Sequence, residues 1–154
     1  SKTPSKPKQT TATLEDLVSH YNSQLPDYLK AIGDNADLLL QPLDPAHATK
    51  EQVIELIRKQ NYRLGRFIRH RSIALLQTVV MTNEDGRTVG YSYDDILNIL
   101  AREFPEGSTS AACLRWYVVH LWSEADEEGL PRPKMPQVRP RSIKKKKPDE
   151  VAAQ

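Results

Sequence analysis

The chain has 154 residues, 22 Lys/Arg against 20 Asp/Glu for a formal charge of +2, one cysteine and 6% aromatic side chains. That length supports one modest domain with tails. A single cysteine excludes an internal disulfide framework and fits a reducing compartment, and no apolar run is long enough for a membrane helix. The small net charge hides an uneven distribution. Residues 1–11 carry +3, residues 130–154 carry +6, and residues 12–129 hold eleven Lys/Arg against eighteen Asp/Glu, hence −7. Basic ends are drawn to polyanions, and an acidic body could equally hold such ends until a polyanion competes them away.

Taken in order, residues 1–11 are Ser, Thr, Lys, Pro and Gln with no apolar side chain, so a disordered basic tail is expected. Thr13, followed three residues on by Asp16, opens a helix whose face is Leu14, Leu17, Val18, Tyr21 and Leu25. Pro26 is expected to end it or open the next turn, with Tyr28, Leu29 and Ile32 making another short helix that stops near Gly33. Residues 34–47, with Leu38, Leu39 and Leu40 before Pro42 and Pro45, read as a packed connector containing one helical turn.

Thr49 starts the longest periodic segment, 49–81, in which Val53, Ile54, Ile57, Leu64, Phe67, Ile68, Ile73, Leu75, Leu76, Val79 and Val80 follow helical steps. It is either one helix of about thirty residues or two helices broken near Gly65 or Ser72. One helix of that length would be a homodimerisation element, because a single protomer cannot cover its apolar surface. Lys59, Arg63, Arg66 and His70 recur at four- and three-residue steps, with Arg58, Arg69 and Arg71 close by. This stripe is either a solvated face paired with acidic surface or a phosphate-contacting ridge using Lys59, Arg63, Arg66 and Arg69. Asn83-Glu84-Asp85-Gly86 is a tight-turn signal, and strands at 78–81 and 87–89 would make a small β-hairpin around it.

The stretch 91–122 carries the strongest pattern. Ile96, Leu97, Ile99, Leu100 and Phe104 share a helical face, with Asp94 and Asp95 in the first turn, where carboxylates suit the positive end of the dipole. Pro105 stops this helix, Glu106-Gly107 turns the chain, and Ser108 or Thr109 can cap the next helix. In that helix Cys113 or Leu114, Trp116, Tyr117 and Leu121 form an apolar face, leaving Thr109, Ser110, Ala112 and Arg115 near an open N-terminal end. Helix, turn and helix, the second opening on small polar residues and an arginine, is how helix-turn-helix DNA-binding units are built. The residues Tyr93, Ile96, Phe104, Pro105, Thr109, Ser110, Cys113, Arg115, Trp116 and Tyr117 resemble small helix-turn-helix or winged-helix modules of bacterial and phage proteins, some attached to restriction enzymes. The resemblance spans 92–123, roughly a fifth of the chain. It implies that Thr109, Ser110 and Arg115 face DNA while Trp116 and Tyr117 anchor the helix. A hairpin ahead of the unit departs from the usual winged-helix order, and Glu124, Asp126, Glu127 and Glu128 crowd the helix end.

Beyond Gly129, Pro131, Pro133, Pro136 and Pro140 alternate with Arg132, Lys134, Arg139 and Arg141, and Lys144, Lys145, Lys146 and Lys147 follow. Such a segment is extended rather than packed and suits phosphates or a minor groove. The histidines His20, His47, His70 and His120 lack metal-ligand spacing, and no phosphate loop or nucleophile elbow is present, so no metal, cofactor or catalysis is expected. Cys113 reads as a buried core thiol.

The expectation is therefore a mainly α body at 12–129, of about five helices with a helix-turn-helix near the C-terminus and a small β-hairpin, between disordered tails 1–11 and 130–154. Its expected function is non-enzymatic binding of double-stranded DNA, transcriptional or genome-associated, in a phage or bacterium. Thr109, Ser110, Ala112 and Arg115 would meet the major groove, while the 58–71 stripe and the 132–147 cations hold phosphates. The setting is cytoplasmic and nucleoid-associated, or nuclear or virion-associated in a eukaryotic or viral source. The alternative is an interaction or structural subunit whose helical body docks on a larger assembly while its tails bind polyanions nonspecifically.

Overall fold

Thr13 opens α1 (Leu14–Ile32) by accepting the Asp16 N–H on its hydroxyl at 3.1 Å. The computed structural model describes residues 10–33 and 41–141. Leu17, Val18, Tyr21 and Leu25 are buried along one face of α1. The helix does not end at Pro26, and no separate short helix follows; it runs straight through to Ile32. An internal proline costs about 3 kcal/mol. Leu25 before it is buried, and Tyr28 and Leu29 after it pack partly buried into the same apolar cluster, where fully burying one such side chain is worth about 1.5–3 kcal/mol. Tertiary packing on both sides of the proline outweighs its local penalty.

The described part of the connector is anchored by Asn22, which accepts the Leu43 N–H at 2.7 Å and donates to the Leu43 carbonyl at 3.0 Å. The expected helical turn is a 3-10 turn at Pro45–His47, capped by Asp44; residues 34–40 lie outside the described residues. A reciprocal capping box of Thr49 and Gln52 then starts α2 (Lys50–Leu64), which lays Val53 and Ile57 against α1. Gly65 ends it in the left-handed conformation (φ 66°, ψ 30°), with its own N–H on Tyr62 and the Arg66 N–H on Asn61 at 2.9 Å. After Phe67 in extended geometry, α3 (Ile68–Gln77) begins. The 49–81 segment is thus two helices and a strand, broken at Gly65, which removes the premise for a dimer built on one long helix.

The strands β1 (Val79–Thr82) and β2 (Thr88–Gly90) form the expected antiparallel hairpin, closed by the Gly86 N–H on the Asn83 carbonyl at 2.9 Å. Ser92 caps α4 (Tyr93–Glu103), and α5 (Ala111–Glu128) follows the turn 104–110. A second apolar cluster joins Leu75 and Leu76 of α3, Ile96 and Leu100 of α4, Phe104, and Leu114 of α5. The body therefore has two cores, one between α1 and α2 and one among α3, α4 and α5. Buried amides span the seam between them. Gln24 Nε2 donates to Gln60 Oε1 at 3.0 Å, Gln60 Nε2 to the Tyr21 carbonyl at 3.1 Å, and Asn61 Nδ2 to the Glu103 carbonyl at 2.9 Å. At the N-terminal end, Thr10 bonds the Ala101 carbonyl and receives Lys50 Nζ at 2.9 Å, so Thr10 is docked rather than free.

The expected tail 130–154 divides. Residues 142–154 lie outside the described residues, but 130–141, though extended, are packed. Val138 forms a parallel bridge with Val89, its N–H on the Thr88 carbonyl at 2.9 Å and its carbonyl accepting the Gly90 N–H at 2.9 Å. Gln137 bonds Thr88 through side chain and backbone at 2.9 and 3.0 Å. Arg139 donates to the carbonyls of Tyr91 at 2.6 Å and Leu76 at 2.7 Å. An extended segment offers unpaired N–H and C=O groups to a sheet edge, and here Pro136 and Pro140 flank the pairing residues instead of occupying them.

Gly90 marks how close this approach is. A Cβ there would sit 2.6 Å from Pro136 Cγ and 2.9 Å from its Cβ. Gly90→Ala is expected to destabilise by about 1–3 kcal/mol and to speed tryptic cleavage after Lys134, read by urea unfolding and a digestion time course. A second expectation comes from His20, whose Nε2 is buried at the seam without a partner among the described residues. Burial lowers its pKa more than the nearby Glu103 carboxylate raises it, with Arg102, Arg66 and Arg71 adding to the lowering. The unfolded chain takes up a proton near about 6.5 while the folded state resists it. Stability should therefore fall as pH drops through that value and level off below the folded pKa. His20→Gln should make the urea midpoint less pH-dependent across that window.

Candidate nucleic-acid interface

The helix α5, second in the expected helix-turn-helix, is set by its cap and one buried leucine. Ser110 caps α5, its hydroxyl accepting the Cys113 N–H at 3.2 Å, so the cap is neither Ser108 nor Thr109. Thr109 is half-buried with its Oγ1 enclosed and without a partner among the described residues. The Thr109 hydroxyl expected to face DNA is thus turned to the fold, while Ser110 is exposed with its hydroxyl engaged as the cap. Leu114 is fully buried against α3 and α4, which leaves Ala112, Arg115, Trp116 and Val119 exposed at three- and four-residue steps. Trp116, expected to anchor the helix, is 54% exposed. With Leu114 inward, a 3.6-residue turn carries position 116 away from the core, and Tyr117 and Val118 take the inner places. The Trp116 ring stacks on His120 at 4.6 Å and 10°, and His120 Nε2 meets Glu124 at 2.9 Å. Tyr117, half-buried as expected of an anchor, has its phenol pKa raised by a hydrogen bond with Cys113 and then by burial. Cys113 itself is half-buried rather than sealed in the core.

Tyr93 joins this face to the C-terminal segment. Its ring lies under two guanidinium groups, Arg115 at 5.8 Å and Arg139 at 5.5 Å. Arg139 is partly buried and bound to two carbonyls, and burial lowers its pKa with Tyr93 opposing. It holds the segment down and is not a free phosphate ligand. Arg132 is likewise engaged, donating to Asp126 at 3.1 and 2.9 Å and lying over Trp122 at 5.3 Å. Lys134 and Arg141 are exposed and make no ion pair among the described residues. Lys144, Lys145, Lys146 and Lys147 lie outside the described residues.

The predicted stripe on 58–71 does not survive the break at Gly65. Lys59 is exposed and Arg63 reaches the Ala31 carbonyl at 3.2 Å, both on α2. Arg66, in the link, bonds Gln24 and reaches Asp27 at 3.3 Å. Arg69 is exposed on α3, close enough to α5 for its charge to act on Tyr117. His70 meets Phe67 edge-on at 5.8 Å. Continuous helical spacing was the only signal for one ridge, and a left-handed residue resets that phase. Sequence reasoning also missed Val119 on the open face and Tyr62, which is 80% exposed beside Lys59 and Arg63.

The open face of α5 therefore carries one cation, one indole and two small or branched apolar side chains, with acidic Glu124, Asp126, Glu127 and Glu128 at its far end. A polyanion is favoured near Arg115 and repelled near Glu127. No family model, curated protein or solved structure matches the chain. Among the described residues, no helix is long and apolar enough to cross a membrane and no three His, Cys, Asp or Glu side chains gather as metal ligands.

The two docked arginines should separate in stability. Arg139→Ala strands two part-buried carbonyls and is expected to cost about 2 kcal/mol, whereas Arg132→Ala, at an exposed pair, should leave the urea midpoint unchanged.

Proposed function

We propose that the protein is a non-enzymatic binder of double-stranded DNA that presents the open face of α5 to the major groove. The observation supporting this reading most directly is that α5 is capped and seated by Ser110 and Leu114 while Ala112, Arg115, Trp116 and Val119 stay uncovered. Arg115 supplies the donor for a base edge or phosphate, and Trp116 and Val119 supply apolar surface for thymine methyls or sugars. Arg69, Lys134 and Arg141 are among the described cations free for phosphate, as is Lys59 on α2. The docked segment brings the chain to Arg141, three residues before Lys144, so the lysine run is tethered to the same body as α5. Thr109, Ser110, Arg66, Arg132 and Arg139 are left out of the DNA-facing surface because the fold already uses or encloses their polar groups. A homodimer through 49–81 is also left out, since no single helix spans it. The phage or bacterial setting and a transcriptional or genome-associated role rest on the resemblance of the 92–123 motif alone.

A second reading, an interaction subunit, is favoured by β1. Val79, Val80 and Met81 are exposed at 49%, 46% and 56%, and among the described residues β1 is paired along one edge, with β2. An exposed apolar edge is a ready surface for another chain.

Fluorescence anisotropy of the full chain on a mixed-sequence duplex, over a salt series, distinguishes the two. On the DNA reading, Arg115→Ala weakens binding by about tenfold and narrows differences between sequences. Replacing Lys144–Lys147 by alanine lowers the salt slope by about 0.9 for each phosphate no longer neutralised, yet leaves binding measurable. If Arg115→Ala changes nothing while removal of the four lysines abolishes binding, the tails alone hold DNA and the interaction reading stands.

A further inference from the structure

A cavity of about 460 Å³ opens where α1, the end of α2, the first turn of α3 and the end of α4 meet. Its walls include His20, Arg66, His70 and Arg71 on the polar side and Phe67 and Phe104 on the apolar side. The one lining carboxylate, Glu103, is occupied: Arg71 Nε and Nη2 hold its two oxygens at 3.0 and 3.1 Å. Arg66 is positioned by Gln24 and Asp27, and each guanidinium, with five N–H groups, retains donors beyond these bonds. The seam residue His20 has a buried Nε2 with no partner among the described residues, a state that favours a ligand atom within reach. The α3 end bordering the cavity has no side-chain cap on Phe67 and no acidic residue in its first turn, so nothing on that helix offsets its positive dipole end.

We propose that this cavity binds a small organic oxyanion, a carboxylate or phosphate monoester, with its charged head among Arg66, Arg71 and His20 and its apolar body against Phe67 and Phe104. Arg66 and Arg71 are each paired with one carboxylate, Asp27 and Glu103, so an anion is selected by their remaining N–H donors and by the uncapped end of α3 rather than by an excess of charge. The two phenylalanines at the other wall select one carrying an apolar group over a bare inorganic ion. A cavity of this size suits a small ligand rather than a macromolecular segment. Because it joins both cores, an occupant would also brace the seam, and mass action would raise the thermal midpoint. None of this depends on DNA binding.

The test follows the His20 and Arg71 side-chain resonances of the full chain by NMR during titration with phenyl phosphate, benzoate and inorganic phosphate. Saturable shifts are expected for the two organic probes, with at least about threefold tighter binding than inorganic phosphate. The bound anion should move the His20 titration upward, since a neighbouring negative charge favours imidazolium. Arg66→Gln should weaken both organic probes by about tenfold. Should that variant unfold, Phe67→Ser, at a half-exposed position, should bring the organic probes down to the level of inorganic phosphate. Shifts that stay linear for every probe, as for a cavity holding water alone, would overturn the proposal. So would saturable binding indifferent to both substitutions, or inorganic phosphate binding as tightly as the organic probes.

Discussion

Three side-chain amides, Gln24, Gln60 and Asn61, are buried where the two apolar cores abut, and the architecture depends on their mutual satisfaction. Each would cost about 1–3 kcal/mol if left without partners. They are saturated only when α1, α2 and the end of α4 hold one relative position, because Gln60 needs the Tyr21 carbonyl and Asn61 the Glu103 carbonyl. Apolar contact alone is tolerant of sliding; amide geometry is not. The network therefore turns a helical hairpin and a three-helix unit into one body, and the Arg71–Glu103 pair at its edge adds a further link from α3 to the end of α4.

The same logic recurs at the three-helix unit, where Arg139 ties the C-terminal segment to α3 and to Tyr91, two residues ahead of α4. Its two carbonyl partners come from elements that the hairpin separates in sequence. Docking of 130–141 thus closes the loop between the end of α5 and the start of α4. The consequence for the candidate interface is positional. Arg115 and Arg139 share the Tyr93 ring, so the open face of α5 and the beginning of the basic terminal run are held at one place on the molecule. The cavity beside His20 lies at the other junction, bordered by the amide network.

Much of the architecture was legible in local sequence. Five helices, the Asp85-Gly86 turn with its hairpin and the 3-10 turn near Pro45 all follow from caps, periodicity and turn chemistry. Where the local reading failed, a longer-range effect decided. Pro26 does not break α1, because Leu25, Tyr28 and Leu29 pack into one apolar cluster on either side of it. The stripe of Lys59, Arg63, Arg66 and His70 is divided, because Gly65 resets the helical phase. Trp116 is exposed, since Leu114 takes the core position and the two cannot both point inward on one helix.

Sequence by itself determined the mainly helical class, the acidic body with basic ends, and the helix, turn and helix of 92–123, since each depends on residues within a few positions of one another. Only the tertiary structure decided which face of α5 is left open, which arginines are free and that residues 130–141 pack. Those outcomes depend on whether a guanidinium finds a carbonyl or carboxylate far away in the chain. Arg139 reaches Leu76 across 63 positions, and no local pattern around Arg139 distinguishes it from Arg141.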